Sequence, residues 1–65
     1  MKIQVNGEAQ VIAAKTLAEA LAELNWGEAR VATAVNGTFV PKMARAQTLL
    51  NDGDQIEVLA PMQGG

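Results

Sequence analysis

The sequence predicts an α+β domain in which one helix covers a sheet, with elements in the order β-β-α-β-β-β. Three observations carry that prediction. Two Asn-Gly pairs, Asn6-Gly7 and Asn36-Gly37, each sit between short segments suited to strands. Type I′ hairpin turns need positive φ at both central positions, which Asn and Gly tolerate. The segment starting at Thr16 joins a helix-start signal to an apolar stripe of helical period. A dense turn, Asn51-Asp52-Gly53-Asp54, precedes a final alternating segment.

The elements follow in order. Lys2-Ile3-Gln4-Val5-Asn6 alternates polar and apolar, the period of a half-buried strand. After Asn6-Gly7 the chain returns over Glu8 to Ala13, with Val11, and secondarily Ile12, as its apolar residues. Thr16-Leu17-Ala18-Glu19 matches the capping box: the Thr hydroxyl takes a free N–H of the first turn, and the Glu reaches back to the cap. The helix runs from Leu17 to about Asn25, with Leu17, Leu21 and Leu24 on one stripe and Glu19 and Glu23 solvated. Asn25-Trp26-Gly27 stops it, with Gly27 as the C-terminal cap and Trp26 closing the core beside the helix end. Val31 to Asn36 is the third strand and Thr38-Phe39-Val40 a short fourth, ended by Pro41, which lacks a ladder N–H. Lys42 to Thr48 reads as a loop with a short helical turn, its Lys42 and Arg45 solvated, and Leu49 and Leu50 dip into the core. Asp52 and Asp54 form the turn before the last strand, Gln55 to Ala60. A lone helix must bury its stripe against the sheet. The expected core is Ile3, Val5, Val11, Leu17, Leu21, Leu24, Val31, Val35, Leu50, Ile56 and Val58.

Composition narrows the function classes. A chain of 65 residues makes one domain, and at this size only about 60% of the unfolded chain's surface becomes buried. Hydrophobic residues make up 49%, enough for a core and against disorder. A net charge of −2 without a basic patch argues against nucleic acid as the main partner. The N-terminus lacks the apolar stretch of a signal peptide, and no segment is long enough to cross a membrane. Absence of Cys fits a cytoplasmic protein. There is also no His, Ser or Tyr, so the usual nucleophiles and proton shuttles reduce to Lys, carboxylates and Thr16, Thr33, Thr38 and Thr48. Metal sites built on His or Cys are excluded, and Asp52 and Asp54 lack the spacing of a calcium loop. The expectation is a protein with no catalytic residue of its own.

The assembled pattern resembles the ThiS family, sulfur carriers of thiamin thiazole synthesis with the ubiquitin-like β-grasp fold. The resemblance rests on Met1, Ile3, Asn6 and Gly7 at the opening, the Thr16–Leu24 helix, and Ala34-Val35-Asn36-Gly37. It rests also on Val40-Pro41, on Leu50, Asp52-Gly53-Asp54 and Ile56, and on the terminal Gly64-Gly65. Lys42 supplies the basic residue the family tends to carry after Val-Pro. Met43 and Ala44 stand where an aromatic is expected, a difference of local packing.

The resemblance implies a mixed sheet packed against one main helix over residues 1–60 and a flexible Gly-Gly tail over 61–65. It implies that Gly65 is the modified residue, its carboxylate adenylated and then converted to a thiocarboxylate, while Gly64, Gln63 and Met62 enter a partner's active site. The implied partners are a ThiF-like adenylyltransferase that uses ATP, a ThiG-like thiazole synthase, and a persulfide-bearing sulfur donor. No bound cofactor, metal, nucleic acid or membrane is implied. The residue types suit this chemistry. Gly65 has no Cβ to crowd its carbonyl, and Gly64 opens backbone angles closed to other residues. Residues 61–65 extend roughly 17 Å at ~3.3–3.6 Å each, and Pro61 stiffens the base of that stalk.

For docking, if Ile56, Val58 and Ala60 face the helix, Leu59 points outward, and with Phe39 and Met62 it forms an exposed apolar patch. The competing reading puts Phe39 in the core and leaves Leu59 as a tolerated surface residue. Three other functions stay open on the residues: a MoaD-like small subunit of molybdopterin synthase, a ubiquitin-like protein modifier, and a regulatory β-grasp module of RNA-handling proteins. The short run from Trp26 to Ala29 disfavours the first, and the acidic charge disfavours the last.

Overall fold

The structure, a computed structural model, describes residues 1–26 and 30–60. β1 (Lys2–Val5) and β2 (Glu8–Val11) form a hairpin, and α1 (Leu17–Glu23) follows. β3 (Ala32–Val35) and β4 (Thr38–Val40) form a second hairpin, and a 3₁₀ helix (Lys42–Gln47) leads to β5 (Gln55–Leu59). Among the described residues the strands make one sheet in the order β2-β1-β5-β3-β4. β1 and β5 are parallel, and the remaining pairs are antiparallel, so the sheet is mixed. The last strand of the sequence therefore lies in the middle of the sheet.

Local chemistry explains the boundaries. Asn6 and Asn36 have φ of 52° and 51°, and Gly7 and Gly37 both have φ of 85°, as type I′ turns require. The capping box forms as expected: Glu19 N–H donates to Thr16 Oγ1 at 3.2 Å, and the Glu19 carboxylate accepts from Thr16 N–H at 3.3 Å and Lys15 N–H at 3.2 Å. Those backbone N–H groups hold the Glu19 carboxyl below its ordinary value of 4.5, Lys15 N–H having the larger effect. A lowered folded-state value contributes stability that is full above pH 4.5 and is lost as pH falls from there through the lowered value. Glu19→Ala is expected to flatten that part of an acid-stability titration; an unchanged slope would remove Glu19 from the acid response.

The helix ends at Glu23 rather than about Asn25. Asn25, at φ 69°, takes the left-handed position. Trp26 N–H donates to Leu21 C=O at 2.7 Å and Asn25 N–H to Ala22 C=O at 3.1 Å, the pair of bonds that defines a Schellman close. Gly27, the expected cap, lies outside the described residues. Trp26 is half-buried and packs on the core, as expected. Glu23 is exposed yet not merely solvated: its carboxylate accepts from Ala13 N–H and Ala14 N–H at 3.0–3.1 Å, tying the β2–α1 connection to the last turn of the helix.

The core departs from expectation in an instructive way. Ile3, Val5, Leu17, Leu21, Leu50, Ile56 and Val58 are buried as expected, and Leu24, Val31 and Val35 are half-buried against them. Val11 is instead 79% exposed and Ile12 is buried. The hairpin pairs Val5 with Glu8 and Lys2 with Val11, so the alternation sends Val11 to the open face and the next residue inward. Leu49 is also exposed where burial was expected. It sits in a short extended bridge to Thr16, with Leu50 N–H donating to Lys15 C=O, and neighbouring side chains of an extended segment point opposite ways. Ala14, Ala20 and Val40 complete the buried set.

Candidate functional site at the end of β5

β5 reaches the end of the body held on both edges. On the β3 side, Ala32 is registered with Leu59 and Thr33 with Val58. On the β1 side, backbone pairing stops at Val5 and Ile56, after which Asn6 N–H donates to Ile56 C=O at 2.9 Å. The Asn6 side chain then takes over. Its Oδ1 accepts from Val58 N–H at 2.8 Å and its Nδ2 donates to Val58 C=O at 3.0 Å. Residues 61–65 follow in sequence, so Met62, Gln63, Gly64 and Gly65 lie outside the described residues.

The face of the sheet opposite α1 carries the other site residues. Phe39 and Ala34 are directly paired, Ala34 faces Glu57, and Ala32 faces Leu59. Phe39 is 65% exposed and Leu59 is 62% exposed. Together with Ala32, Ala34, Thr33 and Glu57 they line one shallow, mostly apolar depression. Phe39 does not fill the core. The structure thus brings Leu59 and Phe39 onto one patch beside the strand that leads to Gly65.

Arg45, expected to be solvated, is half-buried: Nε donates to Thr33 Oγ1 at 3.1 Å and Nη2 to Val31 C=O. Thr33 is itself buried and donates to Val40 C=O at 2.9 Å. This strut pins the 3₁₀ helix to β3 from below the patch. Its sequence signal was a Thr on the inward-facing register of a strand, which needs a polar partner when buried. Asp54 closes its turn by accepting from Asn51 N–H at 2.8 Å, and Asp52, in the same turn, accepts from Lys2 N–H at 2.7 Å and so ties the turn to the start of β1. Among the described residues, no cluster of His, Cys, Asp or Glu could hold a metal ion. Among them, too, no helix is long and apolar enough to cross a membrane.

A mixed sheet wrapped on one helix, with its central last strand leading to Gly-Gly, defines a ubiquitin-like β-grasp domain. The ThiS family model matches residues 3–65, and the chain belongs to the ThiS family. It is 38% identical over 66 aligned positions to the sulfur carrier protein ThiS of Escherichia coli strain K12, covering the whole of both chains. It is 41% identical to a thiazole synthase of Paramagnetospirillum magneticum, where it covers all of this chain but only 20% of that longer protein. The crystal structure of ThiS from Geobacter metallireducens superposes with a TM-score of 0.84 at 32% identity, covering 100% of both chains. A solution structure of a thiamine biosynthesis protein from the same organism gives 0.76 at 29% identity, covering 100% of this chain and 88% of that one. Of the readings open in the sequence, membership selects the small sulfur carriers of thiamin biosynthesis over the molybdopterin synthase subunit.

Proposed function

We propose that Gly65 is the working residue, cycling between carboxylate and thiocarboxylate and delivering sulfur for thiazole formation. A carboxylate oxygen of Gly65 attacks the α-phosphorus of ATP held by a ThiF-like adenylyltransferase, and pyrophosphate leaves. The terminal sulfur of a partner's persulfide attacks the activated carbonyl and expels AMP. A thiol then cleaves the S–S bond and frees the thiocarboxylate. A ThiG-like thiazole synthase takes that sulfur, and an oxygen from water or from the sulfur acceptor replaces it at the Gly65 carbonyl, which restores the carboxylate. ATP is the partner's substrate, and the carrier binds no cofactor. Thiol and persulfide chemistry of this kind belongs in a reducing compartment, consistent with the cytoplasm.

The observation that carries this reading is the placement of β5. A strand in the middle of the sheet, fixed along both edges, leads directly into a side-chain-poor Gly64-Gly65 end in a ThiS-family chain. We assign residues 61–65 the role of a pliable stalk, with Met62, Gln63 and Gly64 entering the partner's active site. The test is intact-mass measurement after incubation with the cognate adenylyltransferase, ATP and a sulfur source. Exchange of the terminal oxygen for sulfur adds about 16 Da to the chain. A wild-type protein that never gains this mass under conditions that adenylate it would refute the assignment.

Phe39 and Leu59 are assigned to docking of the activating enzyme. A charge buried in a docked apolar patch without a partner is costly, so Phe39→Asp and Leu59→Asp are each expected to raise the KM for the carrier about tenfold or more. Both side chains are exposed in the free protein, so its melting temperature should hardly move. Steady-state adenylation kinetics with the carrier as variable substrate make the measurement. Unchanged KM in both variants would place the contact elsewhere.

A further inference from the structure

The two Asn-Gly turns do more than reverse the chain. Each lays its Asn side chain on β5, at opposite ends of that strand. Asn36, in the β3–β4 turn, accepts from Gln55 N–H at 2.9 Å and donates to Asp54 Oδ1 at 3.0 Å. Asn6, in the β1–β2 turn, takes both the N–H and the C=O of Val58. The first holds the start of the strand; the second holds its end, next to Leu59. Asn6 fills a gap that the backbone cannot. β1 has turned away into its hairpin, and the amide supplies one acceptor and one donor as a further strand residue would.

We propose that Asn6 is a positioning residue for the terminal carboxylate. By completing the β1 edge of the ladder at Val58, it holds the end of the strand from which the chain continues to Gly65. Without it, Val58 and Leu59 keep only the β3 edge, and the length of chain that must be ordered before Gly65 can react grows at its root. A longer tether lowers the effective concentration of its end, and each added free residue must be ordered again when the end is held in an active site. The reacting group suffers while the patch of Phe39 and Leu59, built on β3, β4 and the outer face of β5, still docks. This inference rests on the reading of Gly65 as the group that reacts.

Asn6→Gly and Asn36→Gly form a matched pair. Both keep a residue at ease with positive φ, and both remove one side-chain clamp from β5. Two readouts are taken, normalised to the folded fraction. In hydrogen exchange, Asn6→Gly is expected to speed exchange of the Val58 amide about fivefold relative to wild type, with Asn36→Gly leaving that amide unchanged. Thiocarboxylate formation should show kcat about fivefold lower for Asn6→Gly with KM for the carrier unchanged, and neither constant changed for Asn36→Gly. Asn6→Asp, which keeps the acceptor and loses the donor to Val58 C=O, should fall with Asn6→Gly. An unaltered Val58 amide, a wild-type kcat, or equal loss of kcat in the Asn36 variant would each overturn the proposal. Failure of the wild type to gain sulfur would instead overturn the assignment of Gly65, leaving the exchange result to judge the clamp.

Discussion

Deletion of Gly65 is expected to abolish the gain of sulfur and to leave thermal unfolding unchanged. Both halves follow from the role proposed for the residue, which is to supply a main-chain carboxylate and no side chain. Removing it withdraws the carboxylate by one residue, roughly 3.3–3.6 Å. Displacements of about 1 Å at a reacting group already cost on the order of a hundredfold in rate. The shortened chain still ends in a glycine carboxylate, so a carrier whose partner only needed a C-terminal glycine would keep working. Gly65→Ala separates crowding from reach: it restores the length but adds a Cβ next to the carbonyl that phosphorus and then sulfur must approach. Its expected result is a slowed reaction rather than none. A glycine has no side chain to bury, so neither change draws on the core. Intact mass after incubation with enzyme, ATP and sulfur donor reads the chemistry, and circular dichroism melting reads the fold. A truncated chain that still takes up sulfur would remove the terminal residue from the mechanism.

The scarcity of reactive side chains fits this division of labour. The body offers a five-stranded sheet, an apolar patch at Phe39 and Leu59, and a central strand paired along β3. Under the proposed function, activation and sulfur transfer fall to partners that supply ATP and a persulfide.

Most of the architecture was legible because each element carried its own chemistry. The Asn-Gly turns fixed both hairpins, and the capping box fixed the helix start, in each case through local hydrogen bonding that needs no tertiary context. The helix end was less legible, because Asn25 took the left-handed position a nearby Gly was expected to fill. Val11 was misplaced even though the signal was present. A two-residue turn forces Val5 and Glu8 to share a face, and counting outward from it puts Ile12, not Val11, on the helix side. Arg45 was read as a surface charge because its partners, Thr33 in β3 and Val31 just before it, are brought beneath it only by the fold. Of the candidate site, the outward-facing Leu59 was legible from alternation along β5. The Asn6 clamp on Val58 was not, since the two residues lie 52 positions apart and the turn motif already accounted for the Asn.

Leu17→Ala is expected to bring the protein close to its unfolding limit. Leu17 is fully buried at the start of α1, within the cluster that joins the helix to Ile3, Ile56 and Val58. Truncating a buried Leu costs about 2–5 kcal/mol, because the transfer energy is lost and a cavity remains. A domain of 65 residues has a total stability of only about 3–10 kcal/mol at typical values per residue. The loss therefore takes a large share, and at about 4–8 °C per kcal/mol it lowers the melting temperature by some tens of degrees or leaves no folded baseline. Val11→Ala provides the counterweight. Both are apolar residues in regular elements, and binary pattern alone treats them alike. Val11 is 79% exposed, so its truncation forms no cavity and should cost under about 1 kcal/mol, chiefly strand propensity. Urea or thermal unfolding of the two variants side by side makes the comparison. Equal destabilisation would mean that β2 is registered one residue away from the pairing of Lys2 with Val11, with its apolar set turned inward.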